Sequence, residues 1–227
     1  MTRLIIYHGS KNIIEKPYYH GGKLQNDYGY GFYCTESLEL AKEWASNNKE
    51  TNGYANKYSI DLEGLKILDL SNEKYSILNW MAILLKFRTF DLSNEMSIKA
   101  KEYLLNNFYI DVNDYDIVIG YRADDSYFSF AKDFLNNTIS VQKLKKAMEL
   151  GKLGKQVVII SELAFAELKF EGTEEVESLE YYEKRKSRDI EAKEQYLKNT
   201  RNSTSLIDDI FILDIIRRGF KNGDSSI

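Results

Sequence analysis

"LIIYHGSKN", residues 4–12, runs four apolar residues straight into His8, one of only two histidines in the chain, and then into Gly9 and Ser10. Such a run over residues 3–7 predicts a buried strand that stops at Gly9. An imidazole and a glycine at its end fit a surface turn or a ligand site at a strand terminus. The rest of the chain has to separate the two.

Composition narrows the choice. The chain has 227 residues, 43% of them apolar and 29% charged, which suits one sizeable core with room for an appendage. A formal charge of −4 and a pI near 5.4 argue against a large phosphate-binding face. Cys34 is the single cysteine, so neither an intramolecular disulfide nor a cysteine metal cluster is available. With two histidines as well, no metal site is expected. No long apolar run resembles a membrane span or a signal peptide, so a cytoplasmic chain without membrane association is expected.

Working outward, the glycine-rich "PYYHGGKLQNDYGYG" (17–31) reads as a loop that bends sharply and approaches something closely. "FYCT" (32–35) is a short strand, and Thr35 is placed to cap a helix whose Leu40, Ala41, Trp44 and Ala45 share a face. Residues 57–70 read as two strands around a turn at Glu63-Gly64. A helical insert over about 72–108 follows, each of its helices beginning after a Ser-Asn pair. "YDIVIGYR" (115–122) is a strand, Ser140 caps a helix to about Leu150, and "KQVVIIS" (155–161) is the clearest strand, continued by "ELKF" (167–170). From Gly172 the chain turns highly charged: a long exposed helix, a break at "NSTS" (202–205), and an amphipathic last helix over 206–220. The class is α+β, with a body at 1–172 and a helical extension at 173–227.

Three segments, "YHGS" (7–10), "GYGFYCTESLELAKEWA" (29–45) and "KQVVIISELAFAELKF" (155–170), together resemble the active-site segments of the ADP-ribosyltransferase superfamily. The similarity is to the branch of poly(ADP-ribose) polymerases and diphtheria-like toxins, and "DYGYGFYCT" looks most like its small bacterial toxin-type members. That resemblance implies two small, mostly antiparallel sheets packed face to face around an NAD cleft. It implies mono-ADP-ribosyl transfer from NAD to a macromolecular acceptor and a small antitoxin as partner, and the acidic pI favours protein over nucleic acid as that acceptor.

It also assigns roles. His8 would bond the adenosine-side ribose, Gly9 would clamp the nicotinamide amide through its backbone, and Ser10 would reach a ribose or phosphate oxygen. Tyr33 would stack on nicotinamide, Trp44 would close the other side, and Gly31 belongs to the Gly-x-Gly-apolar-Tyr segment. Gln156 stands where the family carries its catalytic glutamate. An amide can orient a ribose hydroxyl but brings no negative charge to an oxocarbenium-like transition state. Ala41 replaces a serine that bonds nicotinamide in many relatives. Asp124, Asp125 and Glu162 are the carboxylates offered to supply the missing charge, and "RADDSYF" adds Arg122 to the cofactor set. Taken singly, each residue reads as well as packing or capping: Tyr33 and Trp44 as core, Asp124-Asp125 as a helix start. Two readings therefore stay beside transferase: an inactive NAD-binding module, and an enzyme of the same fold that modifies nucleic acid.

Overall fold

The computed structural model describes residues 3–123, 125–150, 154–202 and 209–224. Among these, seven strands form two small sheets with eight α-helices around them, an α+β architecture. In the first sheet β3 (Gly53–Asp61) lies between β1 (Arg3–Ser10) and β7 (Leu168–Val176), all antiparallel. The second sheet has the order β2-β6-β5-β4, built from β2 (Phe32–Cys34), β4 (Ile67–Asp69), β5 (Ile117–Tyr121) and β6 (Lys155–Ile159).

Period-two alternation explains how the sheets meet. Ile6, Tyr58 and Ile60 from the first sheet pack with Phe32, Cys34, Ile117, Val157 and Ile159 from the second in one buried cluster. Among the described residues one bridge ties the sheets along the backbone: Tyr7 N–H donates to the Thr35 carbonyl at 2.8 Å and Thr35 N–H to the Tyr7 carbonyl at 2.9 Å. The other face of the second sheet carries a larger core of α2 (Ile77–Phe87), α3 (Glu95–Phe108), α4 (Asp125–Leu135) and α5 (Val141–Met148). In α2 every residue from Ile77 to Leu85 is buried, as an apolar-all-round helix must be.

Several local expectations shift. Helix α1 (Leu38–Ala45) is capped by Ser37, not Thr35, whose backbone serves the bridge and whose Oγ1 accepts the Ser37 N–H. Helix α2 starts at a Ser76–Asn79 capping box rather than after Ser71-Asn72. The two strands around Glu63-Gly64 are not a hairpin: β3 stays in the first sheet, while β4 crosses over to pair parallel with β5.

Strand β7 runs through residue 172, where the composition had suggested that the body ends, because its pairing with β3 continues to Gly53↔Val176. After the short α6 (Glu162–Ala166) and β7, helix α7 (Ser178–Asn202) lies against α1, with Arg188 ion-paired to the buried Glu43. Helix α8 (Ile212–Arg218) inserts Ile212 and Ile215 fully into the larger core. The charged C-terminal stretch is thus joined to the body by a strand and two docked helices. Most of "NSTS" falls outside the described residues. No helix among the described residues is long and apolar enough to cross a membrane.

Candidate functional site

Strand β1 turns alternate side chains to opposite sides, Ile6 and His8 toward the second sheet and Tyr7 and Gly9 toward α1. A Cβ on Gly9 would sit 1.9 Å from the Ala41 carbonyl oxygen, and one on Gly53 would sit 2.5 Å from that of Ala45. Small residues on both elements therefore let α1 lie directly on the sheet. This close seat carries Trp44, on the same helix, to the edge of a cleft of about 500 Å3, well inside the usual size of small-molecule sites.

His8 Nδ1 lies 2.7 Å from the Tyr33 carbonyl oxygen, and its ring stacks on Phe32 with centroids 4.3 Å apart. A carbonyl oxygen only accepts, so Nδ1 carries the proton and Nε2 of the neutral ring is a bare acceptor. Burial lowers the His8 pKa, partly offset by that carbonyl, which favours the neutral form. Phe32 and Tyr33 point to opposite faces of the edge strand β2, yet both line the cleft, which therefore opens around that edge. The Tyr33 hydroxyl accepts from Tyr28 N–H at 3.0 Å and donates to the Gly29 carbonyl at 2.7 Å, pinning the glycine-rich loop. Gly29 has φ +77°, a conformation that favours glycine, and Gly31 meets Val158 so closely that a Cβ would lie 2.6 Å from Cγ1.

His8, Gly9, Gly31, Tyr33, Trp44, Arg122 and Gln156 all line this one cleft. Residues separated by nearly 150 positions in the chain thus share a hollow. The Arg122 guanidinium lies 4.6 Å from the Trp44 ring centroid, and the indole N–H is buried without a partner among the described residues. Ser10 is not part of the lining: its hydroxyl donates to the Asn12 carbonyl at 2.5 Å and accepts from Asn56 at 3.1 Å. Glu162 is exposed at the start of α6 and does not line the cleft either. Asp124 and the side chain of Asp125 lie outside the described residues; α4 begins at Asp125.

Among the described residues the carboxylate that faces the cleft is Asp27, which the sequence did not single out. It is 5% exposed, and its Oδ2 accepts from Gln156 Nε2 and from Ala123 N–H, both at 2.9 Å. Its Oδ1 stands 3.7 Å from Arg88 Nε, which also lines the cleft. Burial raises the Asp27 pKa, opposed in turn by the Ala123 N–H, Arg88, Gln156 and Arg122. The only hint in the sequence was its place within the bending loop before Tyr28-Gly29.

The outer rim is aromatic. Tyr18 lines the cleft and is 74% exposed, and Tyr19, His20 and Tyr30 form a stack beside it with successive centroids 3.9 and 5.2 Å apart. No group of three or more His, Cys, Asp or Glu side chains among the described residues could hold a metal ion. Comparison with curated proteins and with solved structures returns no match. A family model does match, over residues 4–170, which takes in both sheets up to the first three residues of β7 and every residue that lines the cleft. The chain belongs to that family, described as protein of unknown function DUF3990.

Proposed function

We propose that this chain is an NAD-dependent mono-ADP-ribosyltransferase of the bacterial toxin type, with an ADP-ribosyltransferase-like arrangement of its two sheets. One observation carries the reading: an imidazole from β1, a tyrosine from β2, an indole from α1 and an amide from β6 converge on a single cleft of dinucleotide scale. Each supplies what nicotinamide–ribose cleavage needs. The bare Nε2 of His8 accepts a ribose hydroxyl. Tyr33 and Trp44 give flat apolar surfaces for the nicotinamide ring. Arg88 and Arg122 bring positive charge to the cleft wall, suited to a pyrophosphate. Gln156, its Nε2 committed to Asp27, keeps Oε1 to accept the ribose 2′-hydroxyl. Holding both halves of the scissile bond rigid is the larger part of catalysis in such a reaction.

The exposed tyrosines at the rim suit a macromolecular acceptor, a protein under this reading, since an enzyme acting on a small acceptor needs no such surface. Of the two C-terminal helices open to an antitoxin, α7 offers the longer exposed face, since the short α8 buries Ile212 and Ile215 in the core. The test is incubation with NAD labelled in its adenine half, following released nicotinamide and the fraction that takes up label. Transfer to protein supports the reading, and transfer to RNA or DNA replaces the acceptor class. NAD binding without turnover would leave an inactive binding module. Tyr33→Ala should weaken NAD binding by about fivefold or more, as the loss of a stacking contact worth ~1 kcal/mol requires.

A further inference from the structure

We infer that Asp27 is the catalytic carboxylate of this cleft, supplying through Oδ1 the negative charge that Gln156 lacks. The inference rests on the transferase reading above and adds a residue to it. Three features of the geometry point to it. Asp27 lines the cleft and is in direct hydrogen bond with Gln156, so its charge lies one hydrogen bond from the position where a glutamate would put its own. Its two oxygens are unequal. Oδ2 is held by two donors at 2.9 Å, whereas among the described residues Oδ1 has no hydrogen-bond donor, only the ion-pair partner Arg88 Nε at 3.7 Å, and keeps lone pairs for a ligand. The third is cost: a carboxylate 5% exposed is expensive to keep in a fold, and such groups cluster at working sites.

The chemistry balances without a further reagent. The C1′–N bond of NAD breaks with both electrons going to the pyridinium nitrogen, and nicotinamide leaves neutral. The cation left on the ribose is stabilised by the Asp27 carboxylate. A lone pair of the acceptor forms the new bond to C1′, and the acceptor's proton passes to Oδ1 and on to solvent. Gln156 meanwhile holds the 2′-hydroxyl, its amide turned the right way because an ionised Asp27 can only accept from Nε2.

The experiment measures NAD affinity and nicotinamide release for four proteins: wild type, Asp27→Asn, Gln156→Glu, and the double variant Asp27→Asn/Gln156→Glu. Asn is isosteric and can accept from Gln156 and Ala123, so the fold is kept. The expected result is a loss of kcat by ~100-fold or more in Asp27→Asn, with NAD affinity changed by no more than about threefold. The double variant, which moves the carboxylate across the hydrogen bond, should recover at least about tenfold over Asp27→Asn. A purely structural Asp27 would not be rescued in this way. Asp27→Asn turning over within about threefold of wild type, or no rescue by the double variant, overturns the assignment while the transferase reading stands. A wild type that binds NAD without cleaving it, or does not bind it, overturns both.

Discussion

Gln156 and Asp27, 129 positions apart in the chain, share a buried hydrogen bond of 2.9 Å inside the cleft. It couples an amide at the head of β6 to a carboxylate in the β1–β2 loop. Burial dominates the environment of Asp27 and raises its pKa above the usual aspartate value. Linkage then fixes the sign. A carboxyl that holds its proton more tightly in the fold than in the unfolded chain stabilises below the unfolded pKa, and that contribution is lost as pH rises through the native one.

Asp27→Asn should therefore be more stable than wild type at pH 8. Its advantage should shrink as the pH falls through the raised native pKa and vanish below the ordinary aspartate value. The groups facing Asp27 are Arg88, Arg122, Gln156, the Ala123 N–H and the hydroxyls of Tyr28 and Tyr33, both of which stay protonated throughout this pH range. Paired denaturant melts of the two proteins from pH 8 to pH 4 read the difference directly and cancel the titration of every other group. An advantage that stayed constant, or grew on acidification, would contradict the burial argument. A gain in stability together with a loss of activity is the usual signature of strain kept at a working site.

The second prediction concerns Gly9, which the resemblance assigns to a backbone contact with nicotinamide. The structure supplies an independent reason for glycine, because any Cβ there would sit 1.9 Å from the Ala41 carbonyl oxygen and 2.7 Å from the Ala45 nitrogen, both backbone atoms of α1. No rotamer relieves that clash. Gly9→Ala should cost about 3 kcal/mol or more by forcing α1 off the sheet. Gly64, at φ +79° with nothing within 4 Å of its Cβ position, is the control: Gly64→Ala should cost only ~1 kcal/mol of backbone strain. Chemical denaturation of both variants checks the contrast. A mild Gly9→Ala would mean that α1 can shift freely, and Trp44 with it.

How far the sequence alone reaches follows from the range of the interactions involved. Strands β1 and β6 were legible because apolar runs ended by polar residues are local signals, and α5 was legible because Ser140 accepts from Lys143 N–H three residues on. The partners of the strands were not, since β4 pairs with β5 across some fifty residues and no local pattern encodes that. The amphipathic last helix and the start of β7 at "ELKF" were legible, whereas the charge of the C-terminal stretch hid how far β7 runs past Gly172, because β7 is an outer strand with one face in solvent. Asp27 was missed for the same reason. Its partners are residues 88, 123 and 156, and in the sequence it is one polar residue among many in a loop.

The last prediction returns to the amide. Gln156→Glu is the natural substitution for restoring the residue that the resemblance expects, and a rate gain would be the simple forecast. The structure argues otherwise. The new carboxylate would stand where Nε2 now donates to Asp27 Oδ2 at 2.9 Å, in a pocket where Asp27 is already 5% exposed. Two carboxylates at that separation cannot both ionise at neutral pH and will share one proton, as the paired aspartates of acid proteases do. Net charge in the pair then stays at −1, so Gln156→Glu should run within about tenfold of wild type at pH 7 rather than far above it. Its nicotinamide release should acquire a second, higher apparent pKa that wild type lacks, because losing the shared proton changes the charge beside the ribose. In the double variant with Asp27→Asn the proton has no second carboxylate to bridge, and that added limb should disappear. A pH profile of nicotinamide release for the three proteins decides it: a large gain in Gln156→Glu at pH 7 with no new limb would mean that the two side chains do not face each other in the working enzyme.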